Sequence, residues 1–183
     1  PISNLSNSGI DRIQVYVKEK PRTLVSHIGT GRHYNINSKS GRLQVLFTDS
    51  DQRNNIYNTD IASYYENMEC IEEMHHPYVV ITPDYMVYTA DFSKLIEQHI
   101  QSEADITLLY HAVDNAKDAY LNCNILNLNK QKGVLSIEPN HGNAKNRNIF
   151  MDTYIMKKDL FIELIRKAKA ISSAFTLADI INE

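Results

Sequence analysis

Few residues in this chain have the type and spacing to do chemistry. Asp84 is one: it follows the apolar run Tyr78–Thr82 and Pro83, and ligands of open α/β sheets gather at the carboxyl ends of strands. A carboxylate there is a hard oxygen donor that suits Mg²⁺ beside a phosphate. The alternative is that Pro83–Asp84 is a plain turn pair. His75–His76 are adjacent and so point different ways on a helix, which argues against joint ligation. His27, His33, His99 and His111 have no partner at useful spacing and read as structural or surface residues. Cys70 and Cys123 form no C-x-x-C and no zinc spacing, as expected of reduced thiols in a cytoplasm. Glycine-rich dinucleotide, Walker, H-E-x-x-H and G-x-S-x-G patterns are missing from the sequence.

The elements that must position these residues alternate between strand and helix. Strands are expected over Ile13–Val17, Leu43–Phe47, Tyr78–Thr82, Ile106–Tyr110 and Ile149–Met156. A hairpin is expected from Asn124–Leu128 and Gly133–Ile137, turning at Lys130–Gly133. Helices are expected over Arg22–Ile28, ended by Gly29 and Gly31, with Leu24, Val25 and Ile28 on one face. Another starts with Thr59 or Asp60 as cap and runs to about Met74. A third covers 91–101, capped by Asp91, with Phe92, Leu95, Ile96 and Ile100 inward; a fourth covers Lys158–Ala170. Residues 35–55 read as loop around one strand. The order predicts an α/β domain around a mixed, mostly parallel sheet with helices on both faces. The 183 residues, 43% hydrophobic and with net charge −3, are enough for one core and give no basic surface for nucleic acid. No apolar run is long enough to span a membrane.

Longer strings carry a resemblance. Ser3-Asn4, Asn7-Ser8-Gly9-Ile10 and His27-Ile28-Gly29-x-Gly31-Arg32 are similar to the early part of ADP-glucose pyrophosphorylases (glucose-1-phosphate adenylyltransferases). So is the series Tyr88-Thr89-Ala90-Asp91-Phe92-Ser93-Lys94, His99-Ile100 and Ala104-Asp105-Ile106-Thr107. Ile56–Ser63 and Asn143–Asn148 resemble the variant, GlgD-type regulatory subunits most closely. The resemblance implies a nucleotide-diphospho-sugar transferase (Rossmann-like) fold. It implies the reaction of ATP with glucose 1-phosphate to give ADP-glucose and pyrophosphate, in which positioning and charge neutralisation do most of the work.

The same resemblance locates departures. Of the two aspartates that hold Mg²⁺ in active members, one falls on Tyr85 and the other on Phe175; Asp84, one residue early, is the remaining candidate ligand. The nucleotide loop's glycine becomes Thr59 and its threonine Asp60. The sugar-binding "F-x-E-K-P" becomes Ile137–His141, with Glu138 one place early, Pro139 for the glutamate and Asn140 for the lysine. The strand "S-M-G-I-Y" becomes Phe150-Met151-Asp152-Thr153-Tyr154, which leaves Glu138, Asp152 and Tyr154 as the sugar-side candidates. Tyr88, Asp91, Met151 and Tyr154 match the family, and each also suits packing or capping. Because the chain opens at Pro1, the resemblance further implies a single incomplete nucleotidyltransferase domain over 1–183, without its phosphate loop, first strand and following β-helix domain.

The expected function is therefore a catalytically deficient regulatory subunit in glycogen biosynthesis. It would hold no metal of its own and work in a cytoplasmic hetero-oligomer with the catalytic subunit, which supplies Mg²⁺. A sugar-phosphate or nucleotide effector is the expected small-molecule partner. Two alternatives stand beside it: an active transferase that recruits Asp84, and a non-catalytic module that senses sugar phosphate or nucleotide.

Overall fold

The computed structural model describes residues 1–18, 21–29, 34, 36, 42–48, 57 and 59–183. The expectations for Gly31, Arg32, His33, Ile56, Asn58 and most of the 35–55 loop lie outside these residues.

The strands form where apolar and β-branched residues run together: β1 (Arg12–Val17), β2 (Arg42–Phe47), β3 (Tyr78–Ile81), β4 (Ile106–Val113), β5 (Asn124–Leu128), β6 (Val134–Pro139) and β7 (Arg147–Lys157). The helices are α1 (Ile2–Asn7), α2 (Pro21–Ile28), α3 (Asp60–Glu66), α4 (Met68–Glu72), α5 (Phe92–Ser102), α6 (Lys158–Ile171) and α7 (Leu177–Asn182). β1 and β2 pair in parallel. The larger sheet runs β3-β7-β5-β6, with β4 also on β7.

The α/β class with helices on both faces holds, but the expected mostly parallel pairing is corrected. Among the described residues the one parallel ladder is β1–β2; β3, β4 and β5 each meet β7 antiparallel, as does β5 with β6. β3 and β4 do run the same way, as a strand–helix–strand unit should. Residues 154–156 of β7 pair with both, so β7 lies between them and separates the parallel neighbours.

Strand alternation divides the core. Val79 and Ile81 join Phe150, Tyr154 and Met156 against Ile61, Ile71, Phe161, Ile165, Leu177 and Ile180, which come from α3, α4, α6 and α7. Val80 turns the other way, toward Leu5 of α1, Ile13 of β1 and Phe92 of α5. A serine pins α1 to α5: Ser8 Oγ accepts from the Phe92 N–H at 3.1 Å.

Two expected helix faces shift, and one expected helix breaks. On α5, Phe92, Leu95, Ile96 and His99 turn inward while Ile100 is 47% exposed, because His99 completes the helical repeat from Phe92. Its Nδ1 meets Thr107 Oγ1 at 2.7 Å, which satisfies the buried ring. On α2, Leu24 and Ile28 face in and Val25 faces out. The single helix expected to Met74 breaks at Asn67, whose side-chain amide donates to Ser63 O and Phe47 O. Its φ of −108° ends α3 at Glu66, and α4 carries the chain on from Met68 to Glu72.

Candidate functional site

The site lies where three segments converge: the bend after β3, the middle of β7 and the start of α3. β7 supplies its centre. Between the pairs Leu108↔Tyr154 and Tyr110↔Phe150 it carries two more residues than β4, a bulge that throws Met151–Thr153 out of register. Asp152 sits in that bulge at φ +48°. Left-handed backbone disfavours most side chains, though aspartate tolerates it better than most.

The Asp152 carboxylate is held from two sides. Tyr85 Oη donates to Oδ2 at 2.6 Å and Tyr154 Oη donates to Oδ1 at 3.0 Å. Tyr154 is fully buried and packs edge-on to Phe150, with ring centroids 5.1 Å apart. Tyr85 is 63% exposed, yet its hydroxyl reaches across the site. Both phenols titrate well above their ordinary range. Burial is the larger cause and the adjoining Asp152 charge adds to it, so both hydroxyls stay protonated as donors. Behind them Tyr88 Oη meets Thr153 Oγ1, which itself donates to Met151 O at 2.9 Å, so the bulge is braced on its other face.

Asp60 opens α3 beneath this group. Thr59 is the cap, its side chain accepting from the Ala62 N–H at 3.2 Å. Asp60 does something else. Its Oδ1 accepts from the Ile61 N–H at 2.7 Å, and its two oxygens accept from the Leu177 N–H at 3.1 and 3.3 Å. One carboxylate thereby ties the first turn of α3 to the first turn of α7. Burial raises the Asp60 pKa most and Asp152 raises it further; the two N–H bonds and Lys18 pull the other way.

The remaining expected site residues go elsewhere. Phe175 packs against the main core two residues before α7. Asp84 is exposed in the bend, and it is its neighbour Tyr85 that meets Asp152. Glu138 lies on the exposed face of β6 and accepts from Ser136 Oγ at 2.8 Å. Asn140 is only 3% exposed. Its Nδ2 donates to Ala116 O and Tyr120 O at 2.8 and 3.0 Å, and its Oδ1 accepts from the Gly142 N–H at 3.1 Å. It straps the 115–123 loop to the end of β6.

This donor set does not fit Mg²⁺. A phenol hydroxyl spent on a carboxylate stands at one resemblance-implied ligand position and a hydrocarbon ring at the other. Among the described residues no group of three or more His, Cys, Asp or Glu side chains is placed to hold a metal ion.

Sequence reasoning missed α7, and with it the destination of Asp60. The signal was present: Thr176-x-x-Asp179 is a capping box. Thr176 Oγ1 accepts from the Asp179 N–H, and Asp179 accepts from the Thr176 N–H at 2.9 Å.

The nucleotidyl transferase family matches residues 1–179. The chain belongs to that family. This nucleotidyl transferase-family chain is 30% identical over 156 residues to a glucose-1-phosphate adenylyltransferase of Clostridium perfringens, covering 85% of the chain and 40% of the relative. It is 27% identical over 169 residues to the glucose-1-phosphate adenylyltransferase of Clostridioides difficile, covering 92% and 43%. It thus spans about two fifths of the length of these relatives. The crystal structure of HddC from Yersinia pseudotuberculosis has the same fold, with a TM-score of 0.69 at 14% identity, covering 97% of this chain and 67% of that one. No helix among the described residues is long and apolar enough to cross a membrane.

Proposed function

We propose that this nucleotidyl transferase-family chain is part of a catalytically deficient, regulatory subunit of glucose-1-phosphate adenylyltransferase. It binds the catalytic subunit in a cytoplasmic hetero-oligomer and modulates ADP-glucose synthesis for glycogen. The observation that carries this proposal is the Tyr85–Asp152 hydrogen bond of 2.6 Å. The residue at an expected metal position is spent on the residue at an expected sugar position, so neither is left to bind substrate. Phe175 packed in the core, Asp60 bonded to the start of α7 and Asn140 bonded to the 115–123 loop repeat the pattern. Without carboxylates aimed at the phosphates, the charge that develops in phosphoryl transfer goes unneutralised. Mg²⁺ then belongs to the partner subunit.

The test is co-expression of the complete gene product with a catalytic glucose-1-phosphate adenylyltransferase subunit. Co-purification and a change in kcat or effector response relative to the catalytic subunit alone are expected. Lack of a complex, or turnover by the protein alone that Asp84→Asn abolishes, refutes the proposal.

A further inference from the structure

We propose that the slot between β1 and β3 is a strand-acceptor site, filled in the complete gene product by an extended apolar segment of the same polypeptide outside residues 1–183, which joins the two sheets into one. This goes beyond the regulatory role and does not depend on it.

Among the described residues β1 pairs only with β2 and β3 only with β7, so each strand keeps one edge unpaired. A cavity of about 390 Å³ lies between those edges. Consecutive residues line it on both sides, 9–14 before and within β1 and 76–82 before and within β3. A sheet face presents alternate residues, so an unbroken run on each wall means that the cavity follows the two edges.

The backbone groups along those edges point into the slot. Asp11 O accepts from the Arg42 N–H at 2.8 Å and Val17 O from the Thr48 N–H at 3.3 Å. In that register Ile13 and Val15 also bond to β2, and Arg12, Gln14 and Tyr16 turn their N–H and C=O groups to the slot. Across from them, Pro77 O accepts from the Lys158 N–H at 2.8 Å, so Val79 and Ile81 bond to β7 while Tyr78 and Val80 turn theirs to the slot. Two rows of donors and acceptors thus face each other, and such groups need partners inside a fold. One inserted strand answers both rows.

The other walls fix its chemistry. Leu5 of α1 and Ile96 of α5 close one face of the slot, and Tyr64 of α3 and Phe161 of α6 close the other. A strand placed here buries both of its faces, so it is a nearly unbroken apolar run of about five residues without proline. Enclosure on two edges and two faces is the setting of a central strand, laid down as the domain folds; a separate partner adds to an open outer edge. The relatives, of which this chain covers 40% and 43%, are long enough to include such a segment.

The test uses the complete gene product. Hydrogen exchange read residue by residue shows whether the slot is filled: the amides of Gln14, Tyr16 and Val80 should exchange at least about a hundredfold more slowly than unpaired loop amides, as those of Val15 and Val79 do. Photo-cross-linking shows by what. With p-benzoylphenylalanine in place of Tyr16 or of Phe161, each variant first checked by thermal melting, irradiation should capture one apolar segment outside residues 1–183. Mixing light and heavy isotope-labelled protein beforehand separates capture within one polypeptide from capture between two copies. Fast exchange at Gln14 and Val80 beside protected Val15 and Val79 overturns the proposal. So does capture of a second copy, of another protein, or of nothing beyond residues 1–183 from both positions. Neither readout involves the catalytic subunit or turnover, so their failure leaves the regulatory role standing, and the failure of that role leaves these readouts intact.

Discussion

Replacing Asp60 separates hydrogen bonding from charge at the joint between α3 and α7. Asp60→Ala removes the acceptor for the Ile61 N–H and strands the Leu177 N–H, whose residue is fully buried. An orphaned buried donor costs about 1–3 kcal/mol and a lost helix-start acceptor about 1 kcal/mol. Relief of the buried carboxylate's desolvation offsets part of this, which leaves a net loss of about 2 kcal/mol. For a chain of this size that is a fall in Tm of about 4–8 °C. Asp60→Asn keeps an oxygen for both N–H groups, and its Tm should stay within about 2 °C of wild type.

The pH dependence gives the second signature of the same pair. The folded-state pKa of Asp60 is raised, so the native state holds a proton that the unfolded state has released. The Asp60 contribution to stability therefore declines as pH rises from the ordinary carboxylate range through the raised value, and Asp60→Asn should lack that decline. Thermal melts by circular dichroism from pH 4.5 to 8 measure it. Hydrogen exchange at Leu177–Asn182 should speed up in Asp60→Ala alone. Equal loss in the Ala and Asn variants, or unchanged exchange in α7, would refute the account.

Three further outcomes are expected. Gly142→Ala should cost more than about 1 kcal/mol in urea unfolding, because φ is +69° and the new Cβ would lie 2.9 Å from Leu121 Cδ2 and 3.0 Å from Lys117 O. Asn140→Ala should cost about 2–3 kcal/mol and raise proteolysis of the 115–123 loop, since the carbonyls of Ala116, Ala119 and Tyr120 lose their donor. Burial lowers the His99 pKa most, Lys157 lowers it further, and Asp105 opposes. The folded value lies below the unfolded one, so its contribution is complete above the ordinary histidine range and falls away as pH drops through it. His99→Asn should flatten that part of the pH–stability curve as read by chemical denaturation.

How far the sequence discloses this molecule depends on the range of the interaction. β1, β2, β3, β5 and α6 were legible to within a residue or two, because apolar alternation and helical periodicity are local signals. The position of β7 between β3 and β4 was not, since which strand fills a gap in a sheet depends on packing between residues 34 to 79 positions apart. The site divides in the same way. That Tyr85, Asp152, Asp60 and Phe175 stand at unusual positions follows from the resemblance alone. That the first two bond each other, and that Asp60 belongs to α7, required the fold. The substitutions then explain one another: an aspartate in place of a bulge glycine needs donors, and a tyrosine in place of a carboxylate brings one. If the pairing is what keeps both residues, the double replacement Tyr85→Asp with Asp152→Gly should be less damaging to stability than the sum of the single changes. Tyr85→Asp alone sets two carboxylates against each other, and the glycine removes that repulsion.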